Sequence, residues 1–405
     1  MQLSTFIFTR ASLIAVATFC SLARANDPEP IQLGFLEVRP TLDTNVTPLG
    51  STWLPNGEEE NAELLVFKPR LAAFASDGKN QFSSSLEILN GNYSTRQADN
   101  FVDFRVENTA RVPLDERNVV KLRSELFNTH ETLNSSFRKG DAPVPNRFTT
   151  STVNGSYEYA TSKGKGRMVL DSGTFAKTYT NNPALDFRSH EDFNWGSTFY
   201  VRVLPGTDMV MRYRFKDVNY LDGRANLAAN IEERDNTETN AYLGATWEAP
   251  ARVPGKLKIA SGFNDTAIEA FRAESSSARW ETNVRWEPLE DSIVLLNADR
   301  IKREGSGLDT LMNTTSLRGS WEYLWTGRLK SAIAGNYSDD TYLDTNRTVE
   351  GLGLKLRMDY AYSNWLNMFV AVGRDEKRSA FNDFNFTQRT FMLGVTATLE
   401  HLWGW

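Results

Sequence analysis

The sequence predicts an all-β protein: a transmembrane antiparallel up-and-down β-barrel of about 18 strands, without a plug domain. From residue 35 to the end, apolar and polar residues alternate with period 2, and there is almost no helical periodicity. Many alternating segments reach the length of about 9 to 11 residues that a tilted strand needs to cross a bilayer. Strands of soluble proteins are typically about 5 or 6 residues long. Short and long connections also follow one another in order, as in outer-membrane barrels.

The composition excludes one class of membrane protein and is compatible with another. With 24% charged residues and a mean hydropathy of -0.44, the chain is too polar for a bundle of membrane helices. Its length alone would suggest several soluble domains, although a closed β-barrel can form one domain of this size. Aromatic residues are abundant, with 10 Trp, 13 Tyr and 24 Phe. A barrel that is apolar outside and polar inside accounts for both features.

Residues 1–25 have the pattern of a cleaved secretory signal peptide. Arg10 provides the positive charge, residues 11–22 form a short apolar run, and Ala23 and Ala25 are the small residues before the cleavage site. A membrane anchor is the alternative, but the run is too short to span about 30 Å of hydrocarbon as a helix. We therefore expect an exported chain in which residues 26–405 form a single outer-membrane barrel domain.

The mature chain is acidic and contains no cysteine. Removing residues 1–25 takes away Arg10, Arg24 and Cys20 but no acidic residue, which leaves 43 basic and 51 acidic residues. This balance disfavours nucleic-acid binding. The three His residues are far apart, and no P-loop, G-x-S-x-G or H-E-x-x-H motif occurs. We predict no metal site, no cofactor and no enzymatic activity.

The wall pattern is clearest in residues 102–112. Val102 and Phe104 lie on one face of this segment, and Asp103 and Arg105 lie on the other. A cation on the lipid face near the bilayer midplane costs about 2 to 4 kcal/mol, whereas a lumen face tolerates charge. Because the apolar faces of such segments nearly lack Lys and Arg, we expect them to face lipid and the polar faces to line a water-filled lumen.

Eighteen segments fit this pattern. They are residues 35–43, 63–75, 81–90, 100–112, 118–128, 148–160, 167–177, 190–204, 208–217, 237–248, 256–264, 276–287, 292–301, 314–324, 328–338, 348–359, 365–374 and 387–400. The alternation is weak in 167–177, 256–264 and 328–338, so 16 strands is the alternative count.

The connections predict the orientation of the barrel. Short breaks lie at residues 77–80, 113–117, 162–166, 205–207, 288–291 and 325–327, and longer polar stretches at 44–62, 129–147, 218–236, 265–275, 302–313 and 375–386. Short turns face the periplasm in such barrels, so an even strand count places both termini there, in a Gram-negative outer membrane. The stretches 129–147 and 218–236 are the predicted constrictions if the channel is gated.

The last segment resembles the terminal signal by which outer-membrane barrels are recognised for insertion. Phe391, Leu393 and Val395 are alternate residues and so share one face of the predicted strand. The same odd-numbered series continues to Trp403 and Trp405. The barrel assembly machinery is therefore a predicted partner, together with outer-membrane lipid and lipopolysaccharide.

Functional residues are expected on the inward face. The lumen candidates are Asp103, Arg105, Glu107, Arg111, Lys121, Arg123, Glu125, Arg212, Arg214, Lys216, Glu281, Arg285, Arg318, Glu322, Lys355 and Arg357. Both signs of charge are present, so no simple selectivity ring is evident. About 18 strands at roughly 4.8 Å spacing and 40° tilt give a cylinder on the order of 35 Å across, wide enough for an aqueous channel.

Three sets of residues allow other interpretations. His130 has the apolar parity near the external rim, where a Ser/His/Asn hydrolase could place its base, although a polar residue at the membrane interface is favoured. The acidic runs at residues 58–60 and 339–340 could bind calcium, but solvated loops are favoured. Aromatic residues at strand ends are expected to form interfacial girdles, with a sugar-stacking path as the alternative. They are Trp195, Trp247, Trp286, Trp321, Tyr323, Trp325, Trp403 and Trp405.

The mature chain resembles the β-barrel porin 2 family, whose members include outer-membrane barrels encoded in exopolysaccharide biosynthesis operons. The resemblance is carried by residues 34–43, Val66 to Leu71, Asn128 to Glu131 with Ala142-Pro143, Arg212 to Asp217 with Asn219-Tyr220, and Asn297 to Arg300. These loose motifs are spread over about 380 residues.

This resemblance implies a conduit for a secreted polysaccharide that works with periplasmic and inner-membrane export components. It implies no catalytic residues. Two other functions remain open at this point: a general diffusion porin for small solutes, and an outer-membrane hydrolase that depends on His130.

Overall fold

Nineteen strands form one antiparallel sheet in the residues that the structure, a computed structural model, describes. These residues are 30–53, 59–95, 97–131, 144–161, 164–221, 235–249, 256–270, 275–304, 311–342, 347–379 and 385–398. The strands are β1 (Ile31–Leu33), β2 (Leu36–Trp53), β3 (Glu59–Ser76), β4 (Gln81–Tyr93), β5 (Phe101–Pro113), β6 (Asn118–His130), β7 (Arg147–Ala160), β8 (Gly166–Tyr179), β9 (His190–Leu204), β10 (Thr207–Tyr220), β11 (Asn236–Glu248), β12 (Lys256–Ala270), β13 (Ser275–Leu289), β14 (Ser292–Glu304), β15 (Leu311–Leu324), β16 (Leu329–Tyr342), β17 (Thr348–Ala361), β18 (Leu366–Ser379) and β19 (Phe386–Thr398).

Pairing between the last and the second strand closes the sheet. β19 lies antiparallel to β2, from Thr387 opposite Trp53 to Thr398 opposite Thr41. Every strand from β2 to β19 thus has a neighbour on both sides, which makes a closed barrel of 18 strands and confirms the predicted fold class. The short β1 pairs only with the start of β2. Closure leaves no strand edge whose backbone groups would be exposed to hydrocarbon.

Among the described residues, the other secondary structure consists of two short 3-10 segments. Gln97–Asp99 and Pro183–Arg188 both lie in connections between strands. No described helix is long and apolar enough to span a membrane. The predicted signal peptide and the terminal residues Trp403 and Trp405 lie outside the described residues, so these parts of the prediction stay untested.

All eighteen predicted segments form strands, including the three with weak alternation, but several strands are longer than predicted. The prediction of loops at 44–62, 265–275 and 302–313 is wrong for most of the first two stretches and for half of the third. β2 and β3 run to Trp53 and from Glu59, β12 runs to Ala270 and β14 to Glu304. At the rim opposite the short turns, both faces of a strand lie beyond the apolar band. Hydrophobic alternation is therefore lost there, although the hydrogen-bonded ladder continues.

The exposed face of the barrel is apolar. In β17, the side chains of Leu352, Leu354, Leu356, Met358 and Tyr360 have relative exposures of 58%, 60%, 40%, 41% and 44%. They alternate with polar residues and cover roughly 20 Å along the barrel axis, close to the height of a lipid-facing band. Phe391 and Leu393 continue the same face on β19.

Aromatic side chains gather at the short-turn edge of this face. Trp321, Tyr323 and Trp325 have the outward parity and follow one another toward the turn at residues 325–328. The rings of Tyr323 and Trp325 are 4.7 Å apart, and Trp321 Nε1 donates to Ser292 Oγ at 3.0 Å. A ring that packs against apolar side chains while its polar atom is hydrogen-bonded suits a membrane interface.

Two short turns have the same sequence-encoded geometry. In Asp77-Gly78-Lys79-Asn80, Asp77 Oδ1 accepts the backbone N–H of Asn80 at 2.7 Å and of Lys79 at 3.0 Å. Asp115 accepts the N–H groups of Arg117 and Asn118 in the same way. The backbone hydrogen bonds from Asn80 and Lys79 lower the pKa of the Asp77 carboxyl. The motif D-x-x-N thus fixes these tight turns.

The chain begins and ends its barrel wall at the same rim. β2 starts opposite Ala75, beside the short turn at residues 77–80, and β19 ends opposite the start of β18, beside the short turn at 362–365. The opposite rim holds the other strand ends, among them His130 of β6, Arg147 of β7 and Tyr220 of β10, together with the connection at residues 180–189.

The face assignment predicts the effect of a single charge. Val106→Arg places a cation on the outward face and should lower the free energy of unfolding in lipid by about 2 to 4 kcal/mol. Ser85→Arg is the control, because it puts the same side chain on the inward face opposite Glu107. Urea titrations of both variants in lipid vesicles, followed by Trp fluorescence, measure the difference. Equal losses for the two variants would contradict the assignment.

Candidate functional site

The structure places all sixteen predicted lumen residues on the inward face of the barrel. They lie on β5, β6, β10, β13, β15 and β17, at positions that alternate with the exposed apolar residues. On β5, for example, Val102 is 48% exposed on the outside whereas Asp103 is buried. We call this inward face the inner wall.

Four charged residues of β5 and β6 form one network on the inner wall. Arg105 lies 2.7 Å from the Glu125 carboxylate and 3.6 Å from Glu107. Arg123 lies 2.9 Å from Glu107 and 3.0 Å from Glu125. Each cation therefore contacts both anions, and the network carries no net charge.

Ion pairs on neighbouring strands extend this pattern. Lys68 of β3 pairs with Glu87 of β4 at 3.0 Å. On the other side, Glu158 of β7 accepts from Lys121 at 2.8 Å and from Arg167 of β8 at 3.2 Å. Positive and negative groups are thus interspersed on the inner wall from β3 to β8.

Most of the remaining candidates are paired as well. The pairs are Lys216 with Asp192 (2.8 Å), Arg214 with Asp171 (3.9 Å), Arg285 with Glu287 (2.5 Å), Arg318 with Asp299 (2.8 Å), Lys330 with Glu322 (3.8 Å) and Arg357 with Asp359 (2.6 Å). Arg111 and Lys355 are exposed and form no ion pair with any described residue. The sequence showed both signs of charge, and the structure shows that most of these charges neutralise each other.

Arg212 connects strands that are not neighbours. Its guanidinium carbon lies 4.4 Å from the centroid of the Tyr242 ring, and its Nη2 lies 3.3 Å from the Glu281 carboxylate. Arg212, Tyr242 and Glu281 belong to β10, β11 and β13. The Arg212 side chain therefore reaches along the inner wall past β11 and β12 to β13. An arginine that stacks on a ring and pairs with a carboxylate is held in one position.

Inward-facing glycines make room for the Tyr242 ring. A Cβ atom at Gly262 would lie 2.4 Å from the ring, and one at Gly244 would lie 2.4 Å from its hydroxyl. The ring therefore lies flat over two glycines and is buried, instead of pointing into the lumen. Aromatic side chains that cover glycines in a sheet are a known stabilising device.

The same arrangement occurs at two other positions. Phe369 covers Gly394, where a Cβ would lie 2.4 Å from the ring, and the Arg357 guanidinium lies 3.7 Å from the centroid of Phe369. Phe101 covers Gly91 in the same manner. These three rings thus lie against the inner wall and cover glycines instead of projecting into the lumen.

A buried polar cluster lies at the rim with the long connections. Glu131 accepts hydrogen bonds from Tyr179 at 2.9 Å and from Asn146 at 2.7 Å, and Arg188 lies 3.5 Å away. Lys177 donates to the same Tyr179 hydroxyl at 2.9 Å. This cluster fixes the described ends of the connections between β6 and β7 and between β8 and β9.

Sequence reasoning did not identify this cluster. Its one sequence signal was the segment from Asn128 to Glu131, which carried part of the family resemblance. Of the two predicted constrictions, residues 132–143 and 222–234 lie outside the described residues, so gating by these stretches stays a prediction.

The expected position of His130 is wrong. Its parity placed it on the outer face, but its imidazole turns inward, with Nδ1 3.0 Å from the Asp103 carboxylate and its ring 4.0 Å from Phe101. Thr129 donates to the same carboxylate at 2.9 Å. At the end of a strand the side chain can leave its face, and a buried carboxylate is a better partner for imidazole than lipid. His130 therefore lacks the outer-wall position that the hydrolase hypothesis requires.

The structure also weakens the calcium interpretation. Asp339 and Asp340 are consecutive in β16 and point to opposite faces; Asp340 accepts from Thr314 at 2.7 Å. The side chains of residues 58–60 are outside the described part. Among the described residues, no group of three or more His, Cys, Asp or Glu could hold a metal ion.

Comparison with solved structures identifies the fold. OccK2 (OpdF) of Pseudomonas aeruginosa superimposes with a TM-score of 0.51 and 12% identity, over 91% of this chain and 100% of that chain. The chain has a porin fold. A BenF-like porin from Pseudomonas fluorescens Pf-5 gives a TM-score of 0.51 and 13% identity, over 90% of this chain and 100% of that chain.

The likeness to these porins concerns the architecture, because the identities are low. No model of a known protein family matches the sequence. No curated protein matches it. The substrate must therefore be inferred from the inner wall itself.

The stack of Arg212 on the Tyr242 ring, which itself covers Gly262, predicts a change in conductance. Gly262→Leu should push the Tyr242 ring off the wall and move Arg212 into the lumen. We expect a lower single-channel conductance in planar bilayers, with a stability cost of roughly 1 to 3 kcal/mol from overpacking.

Gly335→Leu is the matched control, because a Cβ there has no neighbour closer than 3.7 Å and the residue lies on the outer face. Its conductance should equal that of the wild type. A Gly262→Leu channel with wild-type conductance would show that the flat position of Tyr242 does not set the width of the lumen.

Proposed function

We propose that the protein is a non-enzymatic channel of the Gram-negative outer membrane that conducts a secreted polysaccharide. The observation that carries this proposal is the inner wall of the porin-like barrel, where charges are paired and large side chains lie flat. The resemblance to barrels of exopolysaccharide operons supports the choice of solute.

The charge pattern suits a hydroxyl-rich chain. A wall with unpaired charges of one sign would attract and retain ions of the opposite sign. The network of Arg105, Glu107, Arg123 and Glu125 instead offers donors and acceptors side by side, without net charge. Sugar hydroxyls both donate and accept hydrogen bonds, so they can exchange such partners as a chain moves along the wall.

The dimensions suit a hydrated polymer. A barrel of 18 strands belongs to the size class that encloses an aqueous channel. The flat positions of Tyr242 and Phe369 preserve this width on two parts of the wall. A structure of OccK2 in complex with glucuronate shows an acidic sugar bound by a protein of the same fold, with a TM-score of 0.51 to this chain.

The proposal includes a pathway to the membrane. The signal peptide directs export, the barrel assembly machinery inserts the chain with both termini in the periplasm, and export components on the periplasmic side supply the polymer. The outward aromatic and apolar residues contact lipid and lipopolysaccharide. The shared short-turn rim of β2 and β19 supports this orientation.

A general diffusion porin is the second candidate. It is favoured by the same polar wall, which offers small solutes a path without a defined binding site. The two candidates differ in what depends on the protein: polymer export in the first case, and nutrient permeability in the second.

Deletion of the gene, with measurement of extracellular polysaccharide, separates the candidates. We expect deletion to abolish the extracellular polymer and to cause its accumulation in the periplasm, and a plasmid copy to restore export. Unchanged export, together with steady conductance of the purified protein in planar bilayers, would contradict the export proposal and favour the diffusion porin.

A further inference from the structure

The outer face of the barrel carries two arginines directly opposite each other. Arg374 of β18 lies in register with Arg389 of β19, and both have the outward parity. Like charges in opposed positions of neighbouring strands destabilise a sheet. Their presence next to the apolar part of the outer face therefore requires a physical explanation.

The charges around this pair are only partly balanced. Glu376 lies 3.0 Å from Arg374 and 2.5 Å from Arg378, so one carboxylate serves two guanidinium groups. Glu350 of β17 is opposite Arg378 in the register. Arg389 has no ion pair with any described residue. The unbalanced positive charge is therefore concentrated where Arg374 and Arg389 meet.

The two arginines lie at the edge of the lipid-facing band that is farther from the short-turn rim. The next outward pair toward the short-turn rim is Val372 opposite Phe391, with relative exposures of 44% and 42%. On the neighbouring strand, Leu354 is opposite Arg374 and 60% exposed. Guanidinium groups at such a boundary keep their stems in the apolar layer and their charge among lipid headgroups.

We infer that Arg374 and Arg389 together bind a phosphate group of an outer-leaflet glycolipid, such as the phosphorylated disaccharide of lipopolysaccharide. The inference rests on the proposed orientation, which puts the long connections and this rim at the outer leaflet. The planar fork of arginine matches phosphate oxygens in two hydrogen bonds, and two opposed forks can hold one phosphate between them.

This contact also has a structural consequence. A phosphate between the two arginines replaces repulsion between β18 and β19 with attraction to a shared anion. β19 is the strand that closes the barrel against β2. The bound lipid thus stabilises the sheet beside its closing strand.

Binding of lipid A to the purified full-length barrel in detergent tests the site. Diphosphoryl lipid A should bind the wild type and raise its thermal unfolding temperature, whereas lipid A stripped of phosphate should do neither. Arg374→Gln with Arg389→Gln should weaken diphosphoryl lipid A binding by about tenfold, because two charge-assisted contacts are lost.

The matched control is Arg117→Gln with Arg328→Gln, which removes two arginines from short turns at the opposite rim. Its affinity for lipid A should be unchanged. Arg389→Gln alone keeps both ion pairs of Glu376, so it tests the site even if the double variant does not fold. It should weaken binding by about threefold or more.

Three results would overturn the inference: equal binding by the arginine variants and the wild type, equal binding of phosphorylated and stripped lipid A, or equally tight binding of inorganic phosphate. The last result would indicate a site for a free anion. The binding test uses purified protein in detergent and requires neither polymer nor membrane potential. Its result therefore does not depend on whether the protein exports a polysaccharide.

Discussion

The antiparallel ladder between β19 and β2 is the interaction on which the rest of the structure depends. An unpaired backbone N–H or C=O in hydrocarbon costs several kcal/mol, so a sheet can cross a membrane only if it has no edge. The pairing of Thr387 to Thr398 with residues 41–53 removes that edge. Once the sheet is closed, the alternation of side chains gives every strand one outward and one inward face. The apolar face of β17 and the charged network of β5 and β6 are two consequences of the same closure.

The inner wall connects this architecture to transport. Its charges are arranged so that cations and anions of neighbouring strands neutralise one another, as Arg105 and Arg123 do with Glu107 and Glu125. Its aromatic rings lie over glycines, as Tyr242 does over Gly262. The wall is therefore polar, most of its predicted lumen charges are paired, and these rings do not project into the lumen. These properties favour the passage of hydrated, hydroxyl-rich solutes over the capture of one ion, which is why a saccharide conduit is the function that we propose.

The sequence was sufficient for the strands and their faces, but not for contacts between distant strands. Period-2 alternation is a local property, so all eighteen wall strands and the inward position of residues such as Arg212 could be predicted. Its partner Glu281 is 69 residues away in sequence, and the stacking of Tyr242 on Gly262 requires the register of β11 and β12. The opposition of Arg374 and Arg389 likewise depends on register. Strand ends were predicted too short because alternation fades where both faces are wet, and His130 was misplaced because a terminal side chain can leave its face.

The most direct test of the two-faced closed barrel is a spin-label scan of β5. Residues 102–112 are replaced one at a time by cysteine in a chain of residues 26–405, which contain no cysteine, and a nitroxide is attached to each variant in lipid vesicles. Even-numbered positions from Val102 to Val112 should be accessible to oxygen dissolved in lipid, and odd-numbered positions from Asp103 to Arg111 to a water-soluble nickel chelate. Accessibility with a period of 2 and opposite phase for the two reagents is the predicted result. Accessibility without that alternation, or with the two phases exchanged, would contradict the account.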